Sequence, residues 1–142
     1  MKKKVAIIGS GIAGLTLASL LKINSNFEFV VYEKGDILNL DESFGIQLSV
    51  NSVSILNKIG FNQLNENQKY HPSKLDFYSI NYNKICDLDL TTFNSANDKY
   101  TTLKRSILVK FLKRFHICIN EKKSSNYWIG HSRTYFSKSF SN

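Results

Sequence analysis

The sequence predicts an α/β fold in which a small parallel sheet is accompanied by an antiparallel hairpin. Residues 4–9 and 27–33 are short, β-branched apolar runs of the kind that form buried parallel strands. The segment between them has apolar residues at helical spacing. Residues 75–80 and 85–90 flank a polar turn, which indicates a hairpin. A chain of 142 residues with 42% hydrophobic content fits one domain with a genuine core.

The first three elements form a compact strand–helix–strand unit. We expect the strand at residues 4–9 to be buried on both faces and a helix at residues 12–23 to follow it. Small side chains at Ala18 and Ser19 allow this helix to approach a sheet closely. The second strand, residues 27–33, then lies parallel to the first after a right-handed crossover.

A second group of elements follows a polar, loop-like segment. Residues 51–59 have the spacing of a short amphipathic helix, with Gly60 placed to end it. Ser106 is a candidate N-cap for a helix at residues 107–113. The alternation of apolar residues over 115–119 predicts a further strand.

A glycine-rich motif joins the first strand to the first helix. The letters GSGIAG follow the G-x-G-x-x-G pattern. Gly9 permits a tight turn, Gly11 lets a pyrophosphate approach the backbone, and Gly14 lets the helix pack closely on the strand. Ile12 and Ala13, at the start of the helix, contribute N–H groups that favour a phosphate. The motif therefore predicts a Rossmann-type dinucleotide-binding unit.

Glu33 ends the second strand, 19 residues after Gly14. A carboxylate at this position accepts hydrogen bonds from the hydroxyls of an adenosine ribose. It would repel a 2′-phosphate, which disfavours NADP in this site. The motif does not separate FAD from NAD, because both contain an ADP group.

The chain resembles the opening third of the FAD-dependent monooxygenases of the para-hydroxybenzoate hydroxylase type, a family that includes ubiquinone-pathway and salicylate hydroxylases. The resemblance covers about residues 3–113 and rests on VAIIGSGIAGLTLASLL with VVYEK, on GIQLSVNSVSILNKIG and on TTLKRSILVKFL, in the family's order. It implies FAD as the cofactor, NAD(P)H as the reductant and an aromatic small-molecule substrate that is hydroxylated. The flavin carries out this chemistry, so no catalytic side chain is predicted.

The resemblance also implies roles for individual residues. The glycines of the motif would hold the pyrophosphate and Glu33 the ribose, with Lys34 in the position of the family's usual basic neighbour. Gly45 and Gln47 match the segment that passes near the flavin, and Arg105 matches an arginine that contacts the cofactor. Judged from the residues alone, Gly45 fits a plain turn equally well, and Arg105 fits a solvated residue at a helix start.

The chain also departs from the family. The later Asp-Gly and Gly-Asp motifs, which complete the flavin site, have no counterpart, and family members are normally much longer. After Lys123 the composition changes, and residues 124–142 contain six serines, five aromatic residues and no acid. We therefore divide the chain into a partial FAD-binding domain, residues 1–123, and an atypical tail that is either disordered or frameshifted. We expect an N-terminal remnant or truncated gene product whose activity is in doubt.

Three alternatives to a flavin monooxygenase module stay open. A small NAD-dependent oxidoreductase would need a third parallel strand soon after Glu33, and residues 34–44 do not resemble one. A non-catalytic dinucleotide-binding module would bind nucleotide without turnover. A chain with no stable function would expose unpaired sheet edges and apolar faces, which predicts self-association.

Composition argues against several further classes. The net charge of +8 comes mainly from scattered lysines without a recognised nucleic-acid-binding module, so no nucleic-acid partner is expected. The two cysteines, Cys86 and Cys118, indicate a reducing compartment, and the histidines lack metal-ligand spacing. Residues 5–21 are uncharged, but their glycines and the strand that follows argue against a signal peptide or membrane span. We therefore expect a cytoplasmic protein without a metal site.

Overall fold

The computed structural model describes residues 1–35, 44–115, 117 and 119–121. Its strands are β1 (Lys3–Ile8), β2 (Phe27–Glu33), β3 (Gly45–Leu48), β4 (Lys74–Tyr78), β5 (Lys84–Asp89), β6 (Thr101–Lys104) and β7 (Ile119–Glu121). Its helices are α1 (Ile12–Lys22), α2 (Val50–Asn57) and α3 (Arg105–Lys113), and short 3₁₀ turns lie at Phe61–Gln63, Glu66–Gln68 and Thr91–Phe93. The predicted mixed α/β class is confirmed.

The parallel sheet has the strand order β1-β2-β7. β1 pairs with β2 along all its residues, beginning with Lys3 opposite Phe27. β7 pairs with the other edge of β2, with Ile119 opposite Val31. A third parallel strand therefore exists, but it begins farther along the chain than the alternation over residues 115–119 predicts.

Among the described residues, β1 is covered on one face only, so the prediction that it is buried on both faces is wrong. On one face, Ile7 and Val31 pack with Ala18 of α1. On the opposite face, Ile8 is 77% exposed. One crossover helix covers only one side of a sheet, and an apolar run does not reveal whether a second layer lies on the other side.

The larger core lies between the helices and the β3–β6 ladder, in which Gly45 is opposite Lys104. Its buried residues come from α1, β3, α2, the turn after α2, β6 and α3; they are Leu15, Leu48, Val53, Leu56, Ile59, Phe61, Leu103, Leu108, Val109, Phe111 and Leu112. The rings of Phe61 and Phe111 meet edge to face, with centroids 5.5 Å apart. Because α1 supplies Leu15 to this core and Ala18 to the sheet, it joins the two.

Both helix ends differ in detail from the sequence prediction: α2 ends at Asn57 with Lys58 as its C-cap, two residues before the predicted end at residue 59, and α3 begins earlier than predicted. Gly60 follows α2 with φ 84°, in the left-handed region that favours glycine, and its N–H donates to the carbonyl of Asn57 at 2.9 Å. The predicted N-cap Ser106 is wrong, because α3 begins at Arg105 with Lys104 as its N-cap. The reason is that β6 runs directly into α3, so the helix starts as soon as the strand ends.

The predicted hairpin is confirmed as β4 and β5. The two strands are antiparallel, with Leu75 opposite Leu88. The ammonium group of Lys84 bridges the carboxylates of Asp76, at 2.9 Å, and Asp87, at 2.6 Å. These exposed pairs contribute little to stability on their own.

Candidate functional site

The glycine-rich turn lies at the carboxyl end of β1, beside the end of β2. Gly9 has φ 97°, a backbone conformation that other residues rarely adopt. Its N–H donates to the carbonyl of Tyr32 at 2.7 Å. The turn is therefore hydrogen-bonded to β2 in a backbone conformation that requires glycine at the first position of the motif.

The second and third glycines have different surroundings. A Cβ at Gly14 would lie 2.0 Å from the carbonyl oxygen of Gly9. Gly11 has an ordinary φ of −65°, and a Cβ there would meet nothing within 4 Å. The packing of the chain therefore requires Gly14, whereas Gly11 borders open space.

The N-terminus of α1 borders the same open space. The helix begins at Ile12, and Gly11 and Ala13 are exposed. In the part of the chain that the structure describes, no side chain caps this end, and the first turn contains no acid. Because the first N–H groups of a helix lack intrahelical partners and carry partial positive charge, this end favours an anionic group.

Glu33 lies at the end of β2 and accepts four hydrogen bonds from the chain. Its Oε2 accepts the Ser10 N–H at 2.6 Å and the Ser10 hydroxyl at 2.9 Å. Its Oε1 accepts the N–H groups of Lys34, at 2.8 Å, and Gly35, at 3.0 Å. These bonds, the one from Gly35 first, lower the pKa of Glu33 from 4.5 to about 2. The carboxylate is therefore ionised at neutral pH and held against the glycine-rich turn.

The predicted site residues fall into two groups. The first group lies at the ends of β1 and β2 and comprises Gly9, Gly11, Ile12, Ala13, Gly14, Glu33 and Lys34. The second group lies at the β3–β6 ladder and the start of α3 and comprises Gly45, Gln47 and Arg105.

Residues of the second group have contacts within the chain. The hydroxyl of Tyr100 donates to Gln47 Oε1 at 2.9 Å. The backbone N–H of Arg105 donates to the carbonyl of Phe44 at 3.0 Å, and its guanidinium lies over the Phe44 ring, 5.6 Å from the centroid. A Cβ at Gly45 would meet nothing within 4 Å. Gly45, like Gly11, therefore borders open space.

Ser10, which occupies a variable position of the motif, lies in the site but is not among the residues that the sequence predicts for it. Ser10 is 2% exposed and contributes two of the four bonds to Glu33. A hydroxyl inside the motif, together with an acid at the end of the second strand, is a signal that could have identified this contact.

The residues that the structure describes, 1–35, 44–115, 117 and 119–121, are expected to hold neither a metal site nor a membrane span. These ranges contain no group of three or more His, Cys, Asp or Glu that could hold a metal ion. They also contain no helix long and apolar enough to cross a membrane. His71 instead lies 3.3 Å from Glu66 Oε2 and 3.2 Å from the carbonyl of Tyr100. Cys86 is an exposed free thiol, and Cys118 lies outside the described residues.

Comparison with known proteins gives matches to one domain family and to monooxygenases. Residues 7–40 match the family described as an NAD(P)-binding Rossmann-like domain. Two 3-amino-4-hydroxybenzoate 2-monooxygenases of Streptomyces platensis, PtnB3 and PtmB3, are 42% and 41% identical to the chain over 59 residues. That stretch is 42% of this chain and 14% of each relative, so the chain matches only a small part of the relatives' length.

Solved structures share the fold. A tetrameric 2-methyl-3-hydroxypyridine-5-carboxylic acid oxygenase has 20% identity and a TM-score of 0.63, over 84% of this chain and 31% of its own. The pqsL protein of Pseudomonas aeruginosa is described as a probable FAD-dependent monooxygenase. It has 16% identity and a TM-score of 0.63, over 84% of this chain and 33% of its own length. The 2,6-dihydroxypyridine-3-hydroxylase of Arthrobacter nicotinovorans has 15% identity and a TM-score of 0.55, over 81% of this chain and 27% of its own length. Residues 7–40 therefore match a Rossmann-like domain family, and the chain shares a stretch of sequence with two monooxygenases and its fold with several more, which confirms the resemblance found in its sequence.

Proposed function

We propose that this chain binds FAD through the ADP half of the cofactor, as a module of an NAD(P)H-dependent monooxygenase that hydroxylates an aromatic ring. The observation that carries the proposal is the open helix N-terminus at Gly11 next to the ionised carboxylate of Glu33. The helix N-terminus attracts a pyrophosphate, and the carboxylate accepts hydrogen bonds from ribose hydroxyls. Both groups follow the carboxyl ends of parallel strands, where open α/β sheets bind ligands.

At the ADP end, backbone groups bind the cofactor. The N–H groups of Gly11, Ile12 and Ala13 bind the pyrophosphate, since Gly11 offers no side chain that would keep a ligand away. Gly9 and Gly14 keep the turn in the shape that presents these groups. Glu33 binds the adenosine ribose, and the exposed Lys34 adds a positive charge beside it.

At the flavin end, we assign Gly45, Gln47 and Arg105. The open space at Gly45 suits the close passage of a flat ring system. The hydrogen bond from Tyr100 orients the Gln47 amide, and the cation–π contact with the Phe44 ring contributes to the position of the Arg105 guanidinium.

The chemistry of a monooxygenase belongs to its cofactor. Bound FAD, once reduced by NAD(P)H, supplies the activation of O₂ toward an electron-rich ring. The residues of this chain bind and orient that cofactor, and none is assigned as an acid, base or nucleophile. Because the chain spans 14% of the length of the curated relatives, we propose turnover only for a form that also supplies the rest of a flavin site.

NAD binding without FAD is the second candidate. The family matched by residues 7–40 is described as NAD(P)-binding, and NAD presents the same ADP group as FAD. Parallel titrations with FAD, NAD and NADP distinguish the candidates. Glu33 should disfavour NADP in either case, because its charge repels a 2′-phosphate.

We further propose a cytoplasmic protein that self-associates through exposed apolar surface rather than binding nucleic acid. The exposed free thiol of Cys86 is compatible with a reducing compartment. Ile8 on the sheet and Ile85 on the hairpin are 77% and 68% exposed, which favours contact with another protein surface.

Quenching of flavin fluorescence during titration with FAD tests the proposal. The unsubstituted chain is expected to bind FAD saturably. Gly11→Val fills the open space at the turn, and Glu33→Ala removes the ribose acceptor, so each should weaken binding about tenfold or more. Glu28→Ala is the matched control, because Glu28 is an exposed acid on the same strand. No binding by the folded chain, or equal binding by Gly11→Val, would show that the proposed site is wrong.

A further inference from the structure

The carboxylate of Glu33 has no acceptor position left for a ligand. Each carboxylate oxygen can accept about two hydrogen bonds, so the group as a whole can accept about four. The chain already supplies four, from the Ser10 N–H, the Ser10 hydroxyl, and the Lys34 and Gly35 N–H groups, at 2.6–3.0 Å. A ribose hydroxyl that donates to Glu33 must therefore displace one of these donors.

Three of the four donors cannot leave the carboxylate without a change in the backbone. They are the backbone N–H groups of Ser10, in the glycine-rich turn, and of Lys34 and Gly35, which follow β2. The fourth, the Ser10 hydroxyl, can change its position by moving between the staggered rotamers of the side chain. It is the donor that can leave Glu33 Oε2 without any change in the backbone.

We propose that the Ser10 hydroxyl occupies the position on Glu33 Oε2 that a ribose hydroxyl of the bound nucleotide takes, and that it yields this position on binding. The inference rests on the proposed function, since it names how the ADP half enters the site. Ser10 is thus an affinity-determining residue that satisfies the carboxylate while the site is empty.

The exchange has a cost that sets the nucleotide affinity. Ser10 is 2% exposed, so its hydroxyl has little access to water when it leaves the carboxylate. Part of the energy of the new ribose bond is therefore spent on breaking the old one. Removing the hydroxyl removes this competition. Ser10→Ala should bind ADP about fivefold more tightly, the factor that corresponds to a net hydrogen bond of about 1 kcal/mol.

Calorimetric titration with ADP and with 2′,3′-dideoxy-ADP tests the exchange. The readout is the ratio of the two dissociation constants, which reports only the contribution of the ribose hydroxyls. We expect Ser10→Ala to increase the preference for ADP about fivefold and to leave dideoxy-ADP binding within about twofold. Ser10→Gly is the second variant and should do the same. Ser19→Ala is the matched control, because Ser19 is also buried but donates to the carbonyl of Leu15 within α1.

The outcomes separate the exchange from the proposed function. A lower or unchanged preference for ADP in both Ser10 variants would overturn the exchange while leaving nucleotide binding intact, and a lower preference would make Ser10 a positioning residue for Glu33. Failure of the unsubstituted, folded chain to bind ADP would overturn the proposed function and the exchange with it.

Discussion

Gly14→Ala is expected to destabilise the fold by about 3 kcal/mol, because the added methyl group has no room. Its carbon would lie 2.0 Å from the carbonyl oxygen of Gly9 and 3.2 Å from the carbonyl carbon. Both are backbone atoms, and the Gly9 backbone is fixed by its φ of 97° and by its bond to Tyr32. The higher helix propensity of alanine, worth about 1 kcal/mol, recovers only part of this loss.

Urea denaturation of Gly14→Ala beside Gly11→Ala measures this effect. Gly11 has an ordinary φ, and its Cβ would meet nothing within 4 Å, so Gly11→Ala should change the free energy of unfolding by less than about 0.5 kcal/mol. Similar stabilities for the two variants would contradict the close approach of α1 to the turn.

Glu33→Gln is expected to lower the free energy of unfolding at pH 7 by about 2 kcal/mol. The amide keeps one acceptor oxygen but turns its NH₂ group toward N–H donors that Glu33 now satisfies. Since the side chain is partly exposed, water compensates for part of the loss, and the effect stays below the sum of four bonds.

The effect of Glu33 depends on pH in a defined direction. Its pKa falls from 4.5 to about 2 on folding, so the ionised carboxylate stabilises the folded state fully above about pH 4.5. This contribution is lost as the pH falls toward 2, where the folded state also becomes protonated. The stabilities of the unsubstituted chain and of Glu33→Gln should therefore converge between pH 4.5 and 2. A large difference between the unsubstituted chain and Glu33→Gln that stays constant over this pH range would contradict the hydrogen-bond network.

Local sequence patterns predicted the strand–helix–strand unit well. The glycine spacing and the apolar runs act over a few residues, so β1, α1 and β2 lie within one or two residues of their predicted bounds. The burial of these strands was not predictable in the same way. Whether Ile8 is covered depends on a second layer, and the residues of β1 carry no information about that layer.

Long-range pairing limited the prediction of the site. Gly45 and Arg105 approach each other because β3 pairs with β6. No local sequence pattern predicts pairing between strands so far apart in the chain. The four bonds to Glu33 were missed for a related reason. The sequence assigns the acid to a ribose, and its donors within the chain, Ser10 above all, depend on how closely the turn approaches the end of β2.

A titration with ADP followed by two-dimensional amide NMR tests the central claim most directly, because it reports on each backbone N–H group separately. We expect the largest chemical-shift changes at Ser10, Gly11 and Ala13 and at the Lys34 and Gly35 amides that donate to Glu33. The amides of the β4–β5 hairpin should not change. Saturable changes confined to the turn and the end of β2 would support the dinucleotide site, whereas changes centred on the hairpin, or none at saturating ADP, would contradict it.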